Sequence, residues 1–462
     1  MKFKELDATS LVAAYRTGKA SPIEAVKYFV NHAEQYEPQL HALYLFEPET
    51  ALTAARKSES RWRAGQPLGP LDGVPVTLKE NIATAGAPMP LGTAASELAP
   101  ALADAPPAQR LREAGAIVIA KTTMPDFGML SSGLSSFHPL TRNPWDLSKT
   151  PGGSSSGAAA ATAAGYAPIN LGTDIGGSIR LPAGWCGVFG FKPSNGRVPI
   201  DPPYMGRVAG PITRTVADAA LAMSVLAQPD TRDHMAVPFP QEEWTLAPRH
   251  LRGLRIGLLM DAGCGLPVDA ETAAAVETVA RQFEAEGAIV EPIRPFLTRA
   301  MLDGIDRFWR ARAWADIRKM SASRYDAILP FIRTWAESGS GLSGQDVFNG
   351  YTQSVEIRIA AHRASLDWDF ILSPTAPIAA FDAELPCPTN DVARPFEHIA
   401  FTLPYNMSDQ PAASINCGYT AAGLPIGLQI AGRRFDDAGV LGVSRAFEIC
   451  RAAQKPWPTE MV

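Results

Sequence analysis

Apolar side chains in the first sixty residues recur every three or four positions, the spacing that places them on one face of a helix. Ile23 and Val26 belong to such a face, and the dipeptide Ser21-Pro22 in front of them is a typical helix start. A second helix is predicted over residues 51–62. The chain is therefore expected to open with helices that pack their apolar sides against the rest of the molecule.

From residue 67 onward, short apolar runs replace the helical spacing. The runs at 74–78 and 116–120 predict buried strands, and a helical stretch at 109–114 leads into the second of them. Further strands are predicted at 254–259, 370–372, 414–416 and 426–430, with a closing amphipathic helix at 436–453. Strands that alternate with helices are typical of the α/β class.

No internal repeat or long linker divides the chain, which favours a single large α/β domain. Four segments are distinguished within it: N-terminal helices (1–66), a core of strands and glycine-serine loops (67–215), a mostly helical region (216–365), and C-terminal strands with a helix (366–462). Three tryptophans of the helical region are interpreted as packing anchors: Trp309, Trp314 and Trp335.

The composition is that of a globular enzyme. Hydrophobic residues make up 46% of the 462 residues and charged residues 19%, enough apolar material for a large core. The net charge of −5 argues against a nucleic-acid-binding surface, which is usually basic. No segment resembles a signal peptide or reaches the ~18 apolar residues of a membrane span, so a cytoplasmic location is expected. Five cysteines without CxxC spacing predict reduced thiols and no metal site.

Two glycine- and serine-rich segments carry the candidate chemistry: PGGSSSG at 151–157 and GTDIGGSIR at 172–180. A phosphate loop needs Lys-Ser/Thr after its last glycine, but Ala158-Ala159 stand there, so nucleotide binding is disfavoured. A serine nucleophile is the other option, because the glycines before Ser178 let the backbone point several N–H groups at one oxyanion. For Gly-Gly-Ser taken alone, a structural turn stays the commoner explanation.

A serine nucleophile also requires a base. The seven histidines lie in unrelated sequence contexts and GxSxG is absent around Ser178, so a histidine triad is not indicated. Lys79 closes the apolar run 74–78 and is the best candidate, since burial favours the neutral form of a lysine. On the sequence alone, an exposed or ion-paired lysine is the commoner arrangement at a strand end.

Three segments of the sequence point to a protein family more specifically together than any of them does alone. LKEN around Lys79, PGGSSSG around Ser154 and GTDIGGSIRLPAGWCGVFGFKP around Ser178 resemble the amidase signature family of serine hydrolases. The separations of 75 and 24 residues between the lysine and the two serines also match. The resemblance covers about residues 20–450.

This resemblance implies one domain with a twisted mixed sheet of about eleven strands flanked by helices. It implies that Ser178 is the acylated nucleophile, that Lys79 is the neutral base, and that Ser154, following a cis peptide with Gly153, bridges the two. The oxyanion hole would be formed by four backbone N–H groups, those of Ile175, Gly176, Gly177 and Ser178. Asp174 and Arg180 would brace this loop, and neither a metal nor an organic cofactor is required.

One departure from the family pattern GGSSGG is Ser156, which stands where the pattern has glycine. A serine at a position that needs φ > 0 carries a small strain penalty. The third serine also makes Ser155 a competing candidate for the bridging role, although the 24-residue spacing favours Ser154.

Two functions stay open. The main prediction is a stand-alone amidase for small or aryl amides, carbamates or esters, with an acyl pocket lined by Gly128, Met129, Leu130 and Tyr204. The alternative is the glutaminase (A) subunit of a tRNA-dependent amidotransferase complex. Such subunits resemble one another in an Asn-Met-Asp-Glu-Phe segment, where this chain has Thr-Met-Pro-Asp-Phe at 123–127. The main prediction implies a small-molecule amide or carbamate as the partner, no nucleic acid, no membrane, and a monomer or homodimer.

Overall fold

Eleven strands in the described part of the chain join into one mixed sheet. The computed structural model describes residues 3, 6–236, 244 and 247–458. The strands are β1 (Leu43–Tyr44), β2 (Pro75–Lys79), β3 (Ile117–Thr122), β4 (Ile169–Asp174), β5 (Phe189–Lys192), β6 (Val208–Thr213), β7 (Arg255–Leu258), β8 (Ile289–Pro292), β9 (Phe370–Pro374), β10 (Ala412–Tyr419) and β11 (Pro425–Gly432).

The strand order is β1-β3-β2-β4-β6-β5-β10-β11-β9-β7-β8. β2 is parallel to both of its neighbours, β3 and β4. The four strands β6, β5, β10 and β11 run antiparallel to both of theirs, and β7 is parallel to β8 and β9. The C-terminal ends of β2 and β4 therefore meet at the same edge of the sheet. All four segments contribute strands, which confirms the predicted single α/β domain.

Helices cover both faces of this sheet. They are α1 (Ala8–Arg16), α2 (Pro22–Leu40), α3 (Pro48–Arg63), α4 (Pro106–Glu113), α5 (Ser156–Ala164), α6 (Arg180–Trp185), α7 (Val216–Leu226), α8 (Ala270–Ala285), α9 (Arg299–Ile317), α10 (Ala322–Asp326), α11 (Pro330–Glu337), α12 (Gly344–Ser365), α13 (Leu403–Met407) and α14 (Asp437–Cys450). In β9, Phe370 and Leu372 join one hydrophobic cluster while Ile371 joins another, as alternation along a strand requires.

The helix that follows the first serine loop is buried throughout. Every residue of α5 is inaccessible to solvent, and its small side chains allow close packing on the central strands. A Cβ at Gly157 would lie 2.2 Å from the Ala42 carbonyl oxygen, so only glycine fits at this point. Because α5 is packed so tightly, the serines that precede it are held in a fixed position.

Most predicted elements are present, with boundaries shifted by a few residues. The predicted helix start at Ser21 is confirmed, because its hydroxyl accepts the Glu24 N–H while the Glu24 carboxylate accepts the Ser21 N–H. The sequence analysis missed five strands, β1, β4, β5, β6 and β8. β4, with the sequence INLGTD, is buried on both faces and so lacks the alternation that marks a half-exposed strand.

Candidate active site

The predicted catalytic residues meet at the shared C-terminal edge of β2 and β4. Lys79 is the last residue of β2, and β4 ends at Asp174, four residues before Ser178. Ser154 lies in the loop that enters α5, and its peptide bond with Gly153 is cis, as the resemblance implies. The fold brings Lys79 into contact with Ser154, 75 residues later in the sequence, and places Ser178 on the adjoining loop.

Lys79 is fully buried and surrounded by hydroxyl groups. Its Nζ donates to Ser154 Oγ at 2.8 Å, to Ser155 Oγ at 3.1 Å and to Thr173 Oγ1 at 3.2 Å. Burial lowers the pKa of Lys79 to about 7, and the nearby Arg207 charge acts in the same direction, against Asp174 and Glu80. A large share of the lysine is therefore neutral at physiological pH, as a general base must be.

The three serines of the site differ in accessibility. Ser178 is partly exposed, whereas Ser154 and Ser155 are buried. The Ser155 hydroxyl donates to the Thr173 carbonyl oxygen at 3.2 Å, and the Ser155 N–H donates to the Ser178 carbonyl oxygen at 3.2 Å. Of the three hydroxyls, that of Ser178 is best placed to meet a substrate.

The hydroxyl of Ser178 makes no hydrogen bond to the described residues. The implied contact between Ser154 and Ser178 is therefore not formed in this structure. Catalytic hydrogen bonds are often loose without substrate and tighten in the bound complex. The contact that joins the two loops here is the backbone bond from Ser155 to Ser178.

The loop between β4 and Ser178 is held by the Asp174 carboxylate. It accepts the Gly177 N–H at 2.7 Å and the Ile179 N–H at 3.0 Å. The Gly177 amide is thus occupied, which corrects its predicted place in the oxyanion hole. The amides of Ile175, Gly176 and Ser178 make no hydrogen bond within the described residues and stay available for an oxyanion.

Asp174 is itself held by a buried arginine. Arg180 donates to both carboxylate oxygens at 3.0 Å, and both side chains are fully buried. Burial alone would raise the pKa of Asp174, but the charge and hydrogen bonds of Arg180 hold it far below its usual range. The predicted bracing role of these two residues fits this geometry.

Three residues from the C-terminal part complete the network and were missed by the sequence analysis. Arg180 donates to Gln429 Oε1 at 2.7 Å, to Asn406 Oδ1 at 2.6 Å and to the Thr402 carbonyl oxygen at 2.9 Å. The Thr402 hydroxyl also donates to the Gly176 carbonyl oxygen at 2.6 Å. More than 220 residues separate these partners from the loop, and no local pattern marks them.

Asp174→Ala is expected to lower the free energy of unfolding by about 3–5 kcal/mol, because it leaves the Arg180 guanidinium buried without its counter-charge. Urea unfolding followed by tryptophan fluorescence measures the change. The matched control is Glu277→Ala, which breaks an exposed pair with Arg281 and should cost less than about 1 kcal/mol. Equal stability of the two variants would show that the Asp174–Arg180 pair does not hold the loop.

Apolar side chains form one wall beside the loop. A Cβ at Gly176 would lie 3.3 Å from Ile399, 3.4 Å from Trp309 and 4.0 Å from Leu403. Trp309, interpreted from the sequence as a packing anchor, therefore also borders the site. These three side chains are buried, and they pack directly against the loop.

Three of the four predicted substrate residues form one segment beside the bridging serine. A Cβ at Gly128 would be 3.3 Å from Ser154 Oγ, and the Leu130 carbonyl oxygen lies against Gly153, so the segment 128–130 passes beside the bridging serine. Met129 is partly buried against the apolar cluster behind it. Tyr204 lies apart from them, beneath the guanidinium of Arg312.

The described residues contain no group of three or more histidine, cysteine, aspartate or glutamate side chains placed to hold a metal ion. Among the helices of the described ranges, none is long and apolar enough to cross a membrane.

Comparison with known proteins identifies the family. A family model described as Amidase matches residues 24–441. This chain belongs to the amidase signature family. Solved structures of the family include a bacterial aryl acylamidase, 29% identical, with a TM-score of 0.88 and 96% of each chain covered. The peptide amidase of Stenotrophomonas maltophilia is 26% identical, with a TM-score of 0.80 and 99% of each chain covered. The amidase fold predicted from the three motifs is confirmed, and the protein is an enzyme that acts on carbon–nitrogen bonds.

Sequence relatives of this amidase have a more specific name. The A subunit of glutamyl-tRNA(Gln) amidotransferase from Chloroflexus aggregans is 34% identical, with 96% of each chain covered. The protein of the same name from Myxococcus xanthus is also 34% identical, with 97% of this chain and 98% of the relative covered.

These relatives correct the predicted partners of the amidase. The sequence analysis expected a monomer or homodimer that meets a small molecule and no nucleic acid. That prediction is wrong, because the relatives are subunits of an enzyme named for a transfer RNA. The error arose from using the mild net negative charge to exclude nucleic acid, since one member of an assembly need not carry the basic surface itself.

Proposed function

We propose that the chain hydrolyses a carboxamide through an acyl-enzyme on Ser178, with Lys79 as base and Ser154 as proton relay. The observation that carries the proposal is the buried Lys79 amine, 2.8 Å from the Ser154 hydroxyl and beside the loop that presents Ser178. An amine with a pKa near 7 accepts a proton during attack and returns it afterwards at the same pH.

The reaction proceeds in two halves. Ser178 Oγ attacks the amide carbon while its proton passes through Ser154 to Lys79, and the carbonyl oxygen becomes an oxyanion near the amides of Ile175 and Gly176. The C–N bond then breaks as the proton returns to the departing nitrogen. Water attacks the acyl ester by the same relay, releasing a carboxylic acid and restoring Ser178.

Within this chemistry, the better supported role is that of the glutaminase component of a tRNA-dependent amidotransferase. The support is the 34% identity over nearly the whole length of two relatives that carry that name. In this role glutamine is cleaved to glutamate and ammonia, and a partner protein uses the ammonia on a charged tRNA. Such a role places the protein in the cytoplasm.

A second function, the hydrolysis of an aryl amide, is favoured by the likeness to a solved bacterial aryl acylamidase. The related aryl acylamidase structure, with a TM-score of 0.88, supports an anilide or aryl carbamate as the substrate. Neither function requires a change in the proposed proton relay.

The test compares both functions in one preparation. We expect the chain, co-expressed with amidotransferase partner proteins, to release ammonia from glutamine, with a rate that rises when charged tRNA is added. Acetanilide and a phenyl carbamate serve as parallel substrates, and Ser178→Ala provides the background. Anilide cleavage by the isolated chain, with no ammonia from glutamine in the complex, would reject the glutaminase role and support the second function.

A further inference from the structure

Arg207 lies one residue before β6, on the face of the sheet that carries the site. β4 and β6 are antiparallel, with Asp174 opposite Val208 and Thr173 opposite Ala209. In an antiparallel pair, directly opposed residues point to the same face of the sheet, and so does every second residue along a strand. Arg207 therefore points to the same face as Ala209 and Thr173. The Thr173 hydroxyl on this face accepts a hydrogen bond from Lys79. Arg207 therefore lies beside Ile175, the first residue of the loop that connects β4 to Ser178.

The positive charge of Arg207 has no protein counter-charge in contact. Its side chain is half-buried, and within the described residues no carboxylate forms an ion pair with it. Its Nη1 donates at 3.5 Å to the Pro202 carbonyl oxygen. Burial and the charge of Arg312 lower the pKa of Arg207, and Asp201 acts against them. An anion bound beside the guanidinium would stabilise its charge.

A second guanidinium, that of Arg312 on α9, lies near Arg207. Its Cζ is 4.0 Å from the ring centroid of Tyr204, and the Tyr204 backbone carbonyl oxygen accepts the backbone N–H of Arg207 at 3.0 Å. The Tyr204 hydroxyl is buried; burial raises its pKa, and the neighbouring Arg312 guanidinium acts in the opposite direction. Asp201 and Asp316, both solvent-exposed, are the acidic groups that act on this cluster, and neither is within ion-pair distance of the arginines.

We propose that Arg207 and Arg312 bind a carboxylate of the substrate, so that the amide cleaved at Ser178 belongs to an acid. This inference rests on the proposed amide hydrolysis and adds the class of substrate. The two arginines take the charged end of the substrate while its amide lies at Ser178. Glutamine has this form, and so does an anilide of a dicarboxylic acid.

The experiment uses a pair of anilides that differ only in the charged end: the monoanilide of glutaric acid and its methyl ester. We expect the wild-type enzyme to prefer the acid by kcat/KM. Arg207→Gln should raise KM for the acid about tenfold or more, the effect of losing one hydrogen bond to a charged group, and leave KM for the ester within twofold. Arg207→Lys should restore part of the preference.

Further variants separate recognition from folding. Arg312→Gln should also raise KM for the acid. Arg281→Gln, which changes an exposed arginine of α8, should alter KM for neither substrate. Equal loss on acid and ester in Arg207→Gln, or no preference in the wild type, would overturn the carboxylate site while leaving the amidase function in place.

Failure of the amidase function would give a different result. If the wild type cleaves neither anilide, the proposed hydrolysis fails for this acyl group, and the uncleaved pair then serves as ligands. Calorimetry must in that case show tighter binding of the acid than of the ester, with the difference removed in Arg207→Gln. Equal dissociation constants would reject the carboxylate site.

Discussion

Ser178→Ala is expected to reduce amide turnover by about 10⁴-fold or more, because the oxygen that forms the acyl ester is removed. The fold should be unaffected, since the hydroxyl is partly exposed and makes no hydrogen bond within the described residues. Steady-state rates on the glutaric monoanilide and on glutamine measure the loss, and thermal unfolding measures the stability. The exposed Ser323→Ala, on α10, is the matched control and should retain full activity.

Covalent labelling adds an independent readout for the same residue. A fluorophosphonate probe should modify the wild type on Ser178, and peptide mass spectrometry locates the adduct. Ser155 is the informative competitor, because it also accepts a hydrogen bond from Lys79. An adduct on Ser155, or undiminished labelling of Ser178→Ala, would show that Ser178 is not the nucleophile.

Lys79→Ala is expected to slow amide cleavage about 10²–10⁴-fold more than cleavage of a matched nitrophenyl ester. An amine leaves only when protonated and so needs the returned proton, whereas a nitrophenolate leaves without it. In the wild type, kcat/KM should rise with pH through about 7, since lysine acts as base only after losing its proton. This limb should be absent in Lys79→Ala.

Lys121 provides a matched control for that pH profile. It is also buried, and burial lowers its pKa to about 7, but it donates to the Ile82 carbonyl oxygen and to Thr84 instead of to a serine. Lys121→Met should keep the rising limb, and Lys79→Met, which conserves the volume of the side chain, should lose it. A limb that survives in Lys79→Met would require another base.

The local parts of the site were predictable because they lie in short motifs. Lys79 ends an apolar strand, and the glycine-rich loops around Ser154 and Ser178 are specific when read together, so the motifs and their spacing predict all three. The sequence could not show which backbone N–H groups of the loop before Ser178 bond to Asp174 and which stay available for an oxyanion. Gly177 was assigned to the oxyanion, yet its N–H is taken by Asp174 at 2.7 Å.

Residues that act through tertiary contacts were not predictable. Arg207 precedes a strand that lacks alternation because both of its faces are buried, so its position beside Lys79 depends on the pairing of β4 with β6. Asn406 and Gln429 reach Arg180 across more than 220 residues. Such contacts depend on the order of the strands, which the sequence pattern does not specify.

The dependence of the oxyanion loop on Thr402, Asn406 and Gln429 has a consequence for biosynthesis. A nascent chain can carry Lys79, Ser154 and Ser178 outside the ribosome while these three partners are still untranslated. Arg180 then lacks three of its hydrogen-bond partners, and the loop that presents Ser178 lacks the anchor at Gly176. A chain that ends before residue 402 is therefore expected to lack the ordered loop and, with it, the proposed hydrolytic activity.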